Sequence, residues 1–111
     1  GTGACRDPGE DQAVSLPVRY LEAARDELAE AVEWYETQRP GKGDALLTEV
    51  ERLVRLLADF PRMHGVVYRD VRKAVARGFP YIVLTREDAG ELIIVAVFHT
   101  SRDPAEWKGR V

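Results

Sequence analysis

The stretch "YIVLTREDAGELIIVAVFH", residues 81–99, decides the fold of this chain. Its first part, residues 81–86, follows Pro80 and is typical of a strand. Its last part, residues 91–99, is almost unbroken in apolar character, which favours a strand buried on both faces. Between them, Asp88, Ala89 and Gly90 offer a hairpin loop of about three residues with a glycine available for positive φ. The stretch therefore predicts the buried antiparallel centre of a sheet.

Two amphipathic helices precede this sheet. Residues 22–39 repeat small and apolar side chains every three or four positions and gather their acids on the other face. Residues 39–43, "RPGKG", end this helix, and a second one covers residues 44–60 up to Pro61. Its broad apolar stripe indicates packing on a core. The short Pro-Gly connection predicts an antiparallel helical hairpin.

The flanking segments complete the sheet. "LPVRYL", residues 16–21, is read as a first strand whose Pro17 favours an edge. Residues 66–76, "VVYRDVRKAVA", alternate loosely and are read as the second strand. The predicted fold is α+β in the order β-α-α-β-β-β, with an N-terminal strand and a helical hairpin packed on a mostly antiparallel, twisted sheet of about four strands. Residues 1–15 are expected to be a disordered leader or a remnant of cloning, and residues 16–111 one domain.

Composition limits the class of protein. The apolar fraction of 45% and the charged fraction of 32% are those of a soluble globular domain. No apolar run approaches the roughly 20 residues of a membrane-spanning helix. The single cysteine, Cys5, excludes an internal disulfide and agrees with the cytoplasm as the expected location. The net charge of −3 divides into −2 for residues 1–17, −4 for 18–60 and +3 for 61–111. The basic C-terminal half predicts a face for phosphates or an acidic partner, and the alternative is a solvated sheet face on which charges cluster by chance.

Few residues offer chemistry. The sequence has no glycine-rich phosphate loop, no Cys/His cluster of metal-ligand spacing and no nucleophile elbow, so we expect neither a metal nor a cofactor. On one ideal strand Arg69, Lys73 and Arg77 would share a face over roughly 26 Å, with Arg72 on the other face. Such a row suits a backbone-like ligand. The alternative is an edge strand protected from aggregation by its charges.

The second candidate group follows the last strand, in "FHTSRDPAEW", residues 98–107. His99 could act as a general acid or base near neutral pH, and Arg102 could stabilise charge developing on phosphorus. The alternative is a structural role, since a histidine that ends a buried strand is often simply hydrogen-bonded. Asp103 and Pro104 predict a turn that begins a short helical segment. We expect Trp107 to fill the rim of the core.

Together these features resemble the RelE/ParE toxin superfamily of type II toxin–antitoxin modules. The resemblance covers residues 17–110 and rests on the element order, on Phe60-Pro61, on "DVRKAVARGFPYIVLT" and on "VFHTSRDPAEWKGR". Its most specific residues are Arg72, Phe79-Pro80-Tyr81, and His99-x-x-Arg102-x-Pro104-x-x-Trp107-x-x-Arg110. The last motif looks most like the ParE-type branch, often labelled plasmid stabilisation proteins.

The resemblance implies one of two activities. RelE-type members are metal-independent endoribonucleases that cut mRNA in the ribosomal A site, whereas ParE-type members inhibit DNA gyrase by binding it. On the nuclease alternative, the catalytic residues would be His99, Arg102, Arg72 and Arg77. No tyrosine follows Trp107, although nuclease members often have one at the C-terminus, and the acidic balance is unusual for a ribosome-binding protein. We therefore favour gyrase inhibition by protein binding over mRNA cleavage, with an inactive or solitary toxin-fold protein as a further alternative.

The resemblance also implies a partner. Both branches are neutralised by a cognate antitoxin that wraps a C-terminal segment over the toxin's helical hairpin and sheet, so we expect a hetero-oligomer. The residues expected to bind target or antitoxin share a positive charge and lie in the C-terminal half. They are Arg69, Arg72, Lys73, Arg77, Lys108 and Arg110.

Overall fold

The computed structural model describes residues 15–111. In chain order the elements are β1 (Val18–Tyr20), α1 (Glu22–Gln38), α2 (Lys42–Asp59), β2 (Val66–Tyr68), β3 (Val71–Val75), β4 (Tyr81–Asp88), β5 (Glu91–His99) and α3 (Ala105–Lys108). The leader predicted for residues 1–15 lies outside the described residues apart from Ser15. None of the helices within residues 15–111 has both the length and the apolar composition of a membrane-spanning segment.

The strands form one five-stranded sheet in the order β1-β5-β4-β3-β2. β1 pairs with β5 in parallel through Val18–Leu92 and Tyr20–Ile94, and every other pair is antiparallel. The helical hairpin connects β1, at one edge of the sheet, to β2, at the opposite edge. The predicted α+β fold class and element order are confirmed, and the sheet has five strands because one predicted strand is divided in two.

The division falls at Arg69 and Asp70. Arg69 adopts a positive φ of 53°, and Tyr68 faces Val71 across a tight turn, so residues 66–68 and 71–75 form a hairpin. A residue with positive φ cannot continue an extended strand, which breaks the alternation that the sequence suggested. The prediction of one continuous strand over residues 66–76 was therefore wrong.

The β4–β5 hairpin also differs from expectation in its loop. Asp88 pairs with Glu91, so the loop is only Ala89 and Gly90. Both have positive φ, 51° and 78°. Two successive positive φ angles are the geometry of a type I′ turn, whose twist matches that of the flanking strands. The loop is thus one residue shorter than predicted.

The two helices approach closely where α2 begins. A Cβ placed on Gly43 would lie 2.4 Å from the backbone oxygen of Val32 on α1, so only glycine fits there. The N–H groups of Gly41 and Gly43 donate to the two carboxylate oxygens of Glu36, at 2.9 and 3.0 Å. Glu36 thereby satisfies free amides at the start of α2 and fixes the angle of the helical hairpin.

The core lies on both faces of the sheet. Ile94 and Val97 of β5 face the helices together with Val83 of β4. On the other face, the side chains of Leu84, Phe98 and other strand residues pack with Trp107 of the C-terminal segment. All residues of β5 from Leu92 to Phe98 are at most 2% exposed. This confirms that β5 is buried on both faces, as its apolar run predicted.

Candidate functional site

The chain after β5 folds back on the outer face of the sheet, which is the face opposite the helical hairpin. The Arg102 N–H donates to the His99 carbonyl at 3.1 Å, and the Ala105 N–H donates to Asp103 Oδ1 at 3.0 Å. The turn delivers Trp107, which is 4% exposed and meets the ring of Tyr68 edge-on at 5.8 Å. The expected turn at Asp103 and the expected burial of Trp107 are confirmed.

Glu27 of α1 holds this C-terminal segment. Its carboxylate accepts two hydrogen bonds from Arg110, at 3.0 and 2.8 Å, and one from Arg102 at 3.1 Å. The backbone N–H of Val97 donates to the same carboxylate at 3.1 Å. Glu27 is only 9% exposed, and a buried carboxylate needs such donors to offset its desolvation. We call Glu27, Arg102 and Arg110 the Glu27 cluster.

Glu27 was not among the predicted site residues, because the acids of α1 were expected on its solvent face. Glu27 instead lies between the buried residues Ala24 and Ala31. Spacings of three and four place these three side chains on one face of the helix. The available signal was therefore an acidic residue in the row of positions that the helix buries. A buried acidic residue indicates a carboxylate that is paired with a cation.

The Glu27 cluster bears on the proposed catalytic role of Arg102. Besides Glu27, Arg102 pairs with Glu106 and lies over the ring of Phe98 at 4.5 Å. The hydrogen bond to Glu106 raises the pKa of Arg102 above its usual value. Its guanidinium donates to two carboxylates of the chain itself. Arg102 is thus already neutralised where a phosphate would have to bind.

His99 takes part in a local turn. Its Nδ1 accepts a hydrogen bond from the Ser101 N–H at 3.0 Å and lies 2.8 Å from the Ser101 hydroxyl. The ring meets Tyr81 edge-on at 5.0 Å, and burial raises the pKa of the Tyr81 hydroxyl. Because Nδ1 accepts, the neutral ring carries its proton on Nε2. This geometry is that of a strand end stabilised by a side chain.

The four residues of the nuclease alternative do not converge. His99 pairs with Tyr81 on β4, whereas Arg72 pairs with Thr85 of the same strand. Four residues along a strand separate the two sites by about 13 Å. Arg77 lies beyond the end of β3, where its backbone N–H donates to Glu49 at 2.7 Å. The described residues therefore offer no single pocket with a base and all three arginines.

The predicted row of Arg69, Lys73 and Arg77 along one strand does not exist. Arg69 lies in the β2–β3 turn, and β3 ends at Val75 before Arg77. Lys73 pairs with Leu84 and shares its outer face, whereas Arg72 and Ala74 lie toward the helices. The guanidinium of Arg72 donates to the His64 carbonyl at 2.7 Å, which secures the loop after α2.

Three of the predicted binding cations remain on the outer face. Arg69 and Lys108 lie over the ring of Tyr68, at 5.2 and 5.1 Å, and Lys73 is exposed on the same side of the sheet. None of the three forms an ion pair within residues 15–111. We call Tyr68, Arg69, Lys73 and Lys108 the outer cationic patch. This patch presents unpaired positive charge around the aromatic ring of Tyr68. Such a surface suits an acidic protein surface or a phosphate backbone.

A second basic region is a pocket of about 400 Å³ at the end of the sheet that holds β2. Its arginines are Arg62, Arg69, Arg72 and Arg86. Asp70 binds Arg86 at 3.0 Å, which lowers the pKa of Asp70, and Glu87 binds Arg62 at 3.1 Å. Two of the four cations are thereby neutralised. Arg62 and Arg86 were not among the predicted site residues, because only the folded sheet brings them beside Arg72.

Two grooves border α1. The first, of about 520 Å³, lies on the surface of the helical hairpin. The apolar side chains of Leu28, Val32 and Leu47 line it. The second, of about 580 Å³, runs between α1 and the end of β5. We call the second one the β5 groove. Within the described part of the chain, no group of three His, Cys, Asp or Glu side chains could hold a metal ion.

A helical hairpin that follows β1, packed on a sheet in the order β1-β5-β4-β3-β2, is the fold of the RelE/ParE toxin superfamily. The family described as the ParE toxin of the type II toxin–antitoxin system, parDE, matches residues 18–104. The chain belongs to this family.

A solved structure has the same fold. It is titled "Chromosomal ParDE TA system from P. aeruginosa" and aligns with a TM-score of 0.68 at 16% identity, over 77% of this chain and 96% of that one. A comparison with curated proteins found no match.

Proposed function

We propose that this protein is the toxin of a type II toxin–antitoxin module and that it inhibits DNA gyrase by direct binding. The observation that most supports this proposal is the Glu27 cluster, in which Arg102 and Arg110 bind a carboxylate of the protein itself. A nuclease needs a base, an acid and charge stabilisation in one place, and the candidate residues lie apart. An inhibitor that acts by binding needs only a presented surface. The outer cationic patch supplies one with unpaired charge.

The same proposal includes an antitoxin, a cytoplasmic location and a plasmid-stabilising module. The apolar groove on the helical hairpin supports it, because Leu28, Val32 and Leu47 line an open surface that an amphipathic helix could cover. Arg25, Glu33 and Glu36 border this groove and would select the charges of the partner. The active species would be the free toxin, and the stored form a hetero-oligomer.

The arginine-lined pocket beside β2 favours one alternative, a ribosome-dependent endoribonuclease of the RelE type. Arg69 and Arg72 in that pocket have no carboxylate partner within residues 15–111, so they could bind a phosphate. Under this alternative the chemistry would need His99 as well, and His99 lies at the other end of β4.

Induction of the chain in a bacterial host tests the proposal. We expect growth arrest with a DNA-damage response and intact mRNA, relieved by co-expression of the adjacent reading frame. His99→Ala should arrest growth as the wild type does, because the imidazole hydrogen-bonds to Ser101 in its own turn and packs on the ring of Tyr81. Cleavage of mRNA that disappears in His99→Ala would replace gyrase inhibition with the nuclease alternative. Unimpaired growth at high expression would identify an inactive toxin-fold protein.

A further inference from the structure

The edge of β5 is only partly covered by β1. The pairing with β1 stops at Ile94, whose carbonyl accepts a hydrogen bond from the Leu21 N–H at 3.0 Å. Beyond this point side chains take the place of a neighbouring strand. Arg110 donates to the Val95 carbonyl at 3.1 Å, and the Val97 N–H donates to Glu27. The Glu27 cluster therefore closes one stretch of a strand edge that would otherwise be open.

This closure by side chains ends before β5 reaches its last residue, His99. The N–H and C=O of a strand residue point to the same side, and successive residues alternate on either side of the register shift at Val95, which has no partner on β4. Thr100 N–H donates to Pro80, which directs residues 98 and 100 toward β4 and residues 97 and 99 away from it. The Val97 C=O and the His99 N–H thus point toward the β5 groove. No hydrogen-bond partner for either group exists among residues 15–111, so one acceptor and one donor are available there.

The wall of the groove opposite this edge is acidic. Asp26, Glu30 and Trp34 follow one another at intervals of four along α1, and all three line the groove. Glu27 and Glu106 are already paired with Arg102 and Arg110, so they add no free charge. Asp26 and Glu30 form no ion pair within residues 15–111. Trp34 is 56% exposed, and such a large exposure is unusual for a tryptophan outside a binding site.

These features together describe a receptor for one kind of segment. The free donor and acceptor of β5 match the backbone of an extended chain, which would add as a short strand where β1 stops. The two carboxylates match a lysine or arginine side chain, and the Trp34 ring offers a cation–π contact to the same group. A second copy of this chain fits less well, because its unpaired cations lie on a folded strand, turn and helix and not on an extended segment with free backbone groups.

We propose that the β5 groove binds an extended, Lys- or Arg-bearing segment of the antitoxin, which pairs with the backbone of Val97 and His99 and places its cation between Asp26 and Glu30. This inference rests on the proposed function, since it assumes an antitoxin. It adds a second contact, distinct from the apolar groove on the helical hairpin. Neutralisation would then depend on a strand edge as well as on helix packing.

The test uses the full chain and the purified product of the adjacent reading frame as the probe. Amide hydrogen exchange of the isotope-labelled toxin is compared free and in the saturated complex. We expect the His99 amide to exchange at least tenfold more slowly in the complex, because it gains a partner. The Val97 amide should change less, because Glu27 already accepts from it. Quenching of Trp34 fluorescence by acrylamide should fall on binding.

Binding measurements on substituted toxins are the second part of the test. Glu30→Lys should weaken the complex at least tenfold, and Trp34→Ala should weaken it severalfold. Glu51→Lys, an exposed acid on α2 outside the groove, is the matched control and should bind within twofold of the wild type.

The outcomes separate the two proposals. A wild-type complex with an unprotected His99 amide and an unaffected Glu30→Lys variant would overturn the groove inference and leave the antitoxin proposal standing. Absence of any complex with the wild-type chain would overturn both. Protection of His99 by self-association of the toxin alone would mean that a second copy occupies the groove, and it would also overturn the inference.

Discussion

At the scale of single residues, the contacts of Glu27 change the interpretation of one motif from catalytic to structural. The motif is His99-x-x-Arg102-x-Pro104-x-x-Trp107-x-x-Arg110. The motif contains the residue types of phosphoryl chemistry, yet its two arginines bind a carboxylate 75 and 83 positions away in sequence. Its tryptophan fills the core. The sequence could predict the turn and the burial of Trp107 because these depend on local pattern. The partner of the arginines depends on a long-range contact that no local pattern encodes.

Glu27→Gln should destabilise the fold. The amide keeps one acceptor oxygen but loses the charge that offsets Arg110, which is largely buried, and Arg102, which is partly exposed. Breaking a buried ion pair costs about 3–5 kcal/mol, and the exposure of Arg102 reduces our expectation to about 2–4 kcal/mol. Urea unfolding of the wild type and the variant measures the difference.

Glu30→Gln is the control for this prediction, since it makes the same change one turn away at an exposed position. It should alter the free energy of unfolding by less than about 0.5 kcal/mol. Equal effects of the two substitutions would mean that the Glu27 cluster contributes nothing specific to stability.

At the scale of elements, the sheet was predictable in its centre and less so at its margin. The unbroken apolar run of β5 and the turn residues before it determine a buried hairpin. The division of residues 66–75 into β2 and β3 depends on the positive φ of Arg69, a conformation to which arginine has no special tendency. The packing of Tyr68 on Trp107 and the burial of Val71 in the outer-face core are long-range contacts that accompany this turn.

The helical hairpin depends on a glycine. Gly43→Ala should destabilise the protein by about 1–3 kcal/mol, although alanine favours a helix, because the added methyl group would overlap the Val32 carbonyl. Thermal unfolding measures the effect. Gly65→Ala is the control, since nothing lies within 4 Å of the added Cβ and its φ is not positive. A Gly43→Ala protein as stable as the wild type would show that the helices can separate at no cost.

Acid stability should depend on Glu49, which joins α2 to the end of β3. Hydrogen bonds from Arg52, together with that from the Arg77 N–H, hold the pKa of Glu49 below its ordinary value of 4.5. A carboxyl with a lowered pKa in the folded state stabilises the fold above the pKa of the unfolded chain. That contribution is lost as the pH falls below 4.5 toward the folded-state pKa.

Glu49→Gln removes this titration. We expect the variant to be less stable than the wild type at pH 7 and the gap to narrow as the pH falls below about 4.5. Denaturant unfolding at a series of pH values checks the trend. A gap that stays constant from pH 7 to pH 3 would show that Glu49 titrates alike in both states.

At the scale of the whole molecule, charge and shape divide the protein into regions. The exposed acids of α1 border the β5 groove, and the unpaired cations lie on the outer face of the sheet around Tyr68. The sequence predicted the basic character of the C-terminal half. It did not predict that carboxylates within the fold neutralise four of its arginines, namely Arg62, Arg86, Arg102 and Arg110.

The central proposal is that the protein acts by binding gyrase. The most direct measurement is the supercoiling of relaxed plasmid by purified gyrase in the presence of the purified chain. We predict dose-dependent inhibition by the wild type and by His99→Ala, and weaker inhibition by a variant with Arg69, Lys73 and Lys108 all changed to glutamate. Undiminished supercoiling at a large molar excess of folded wild-type protein would contradict the account.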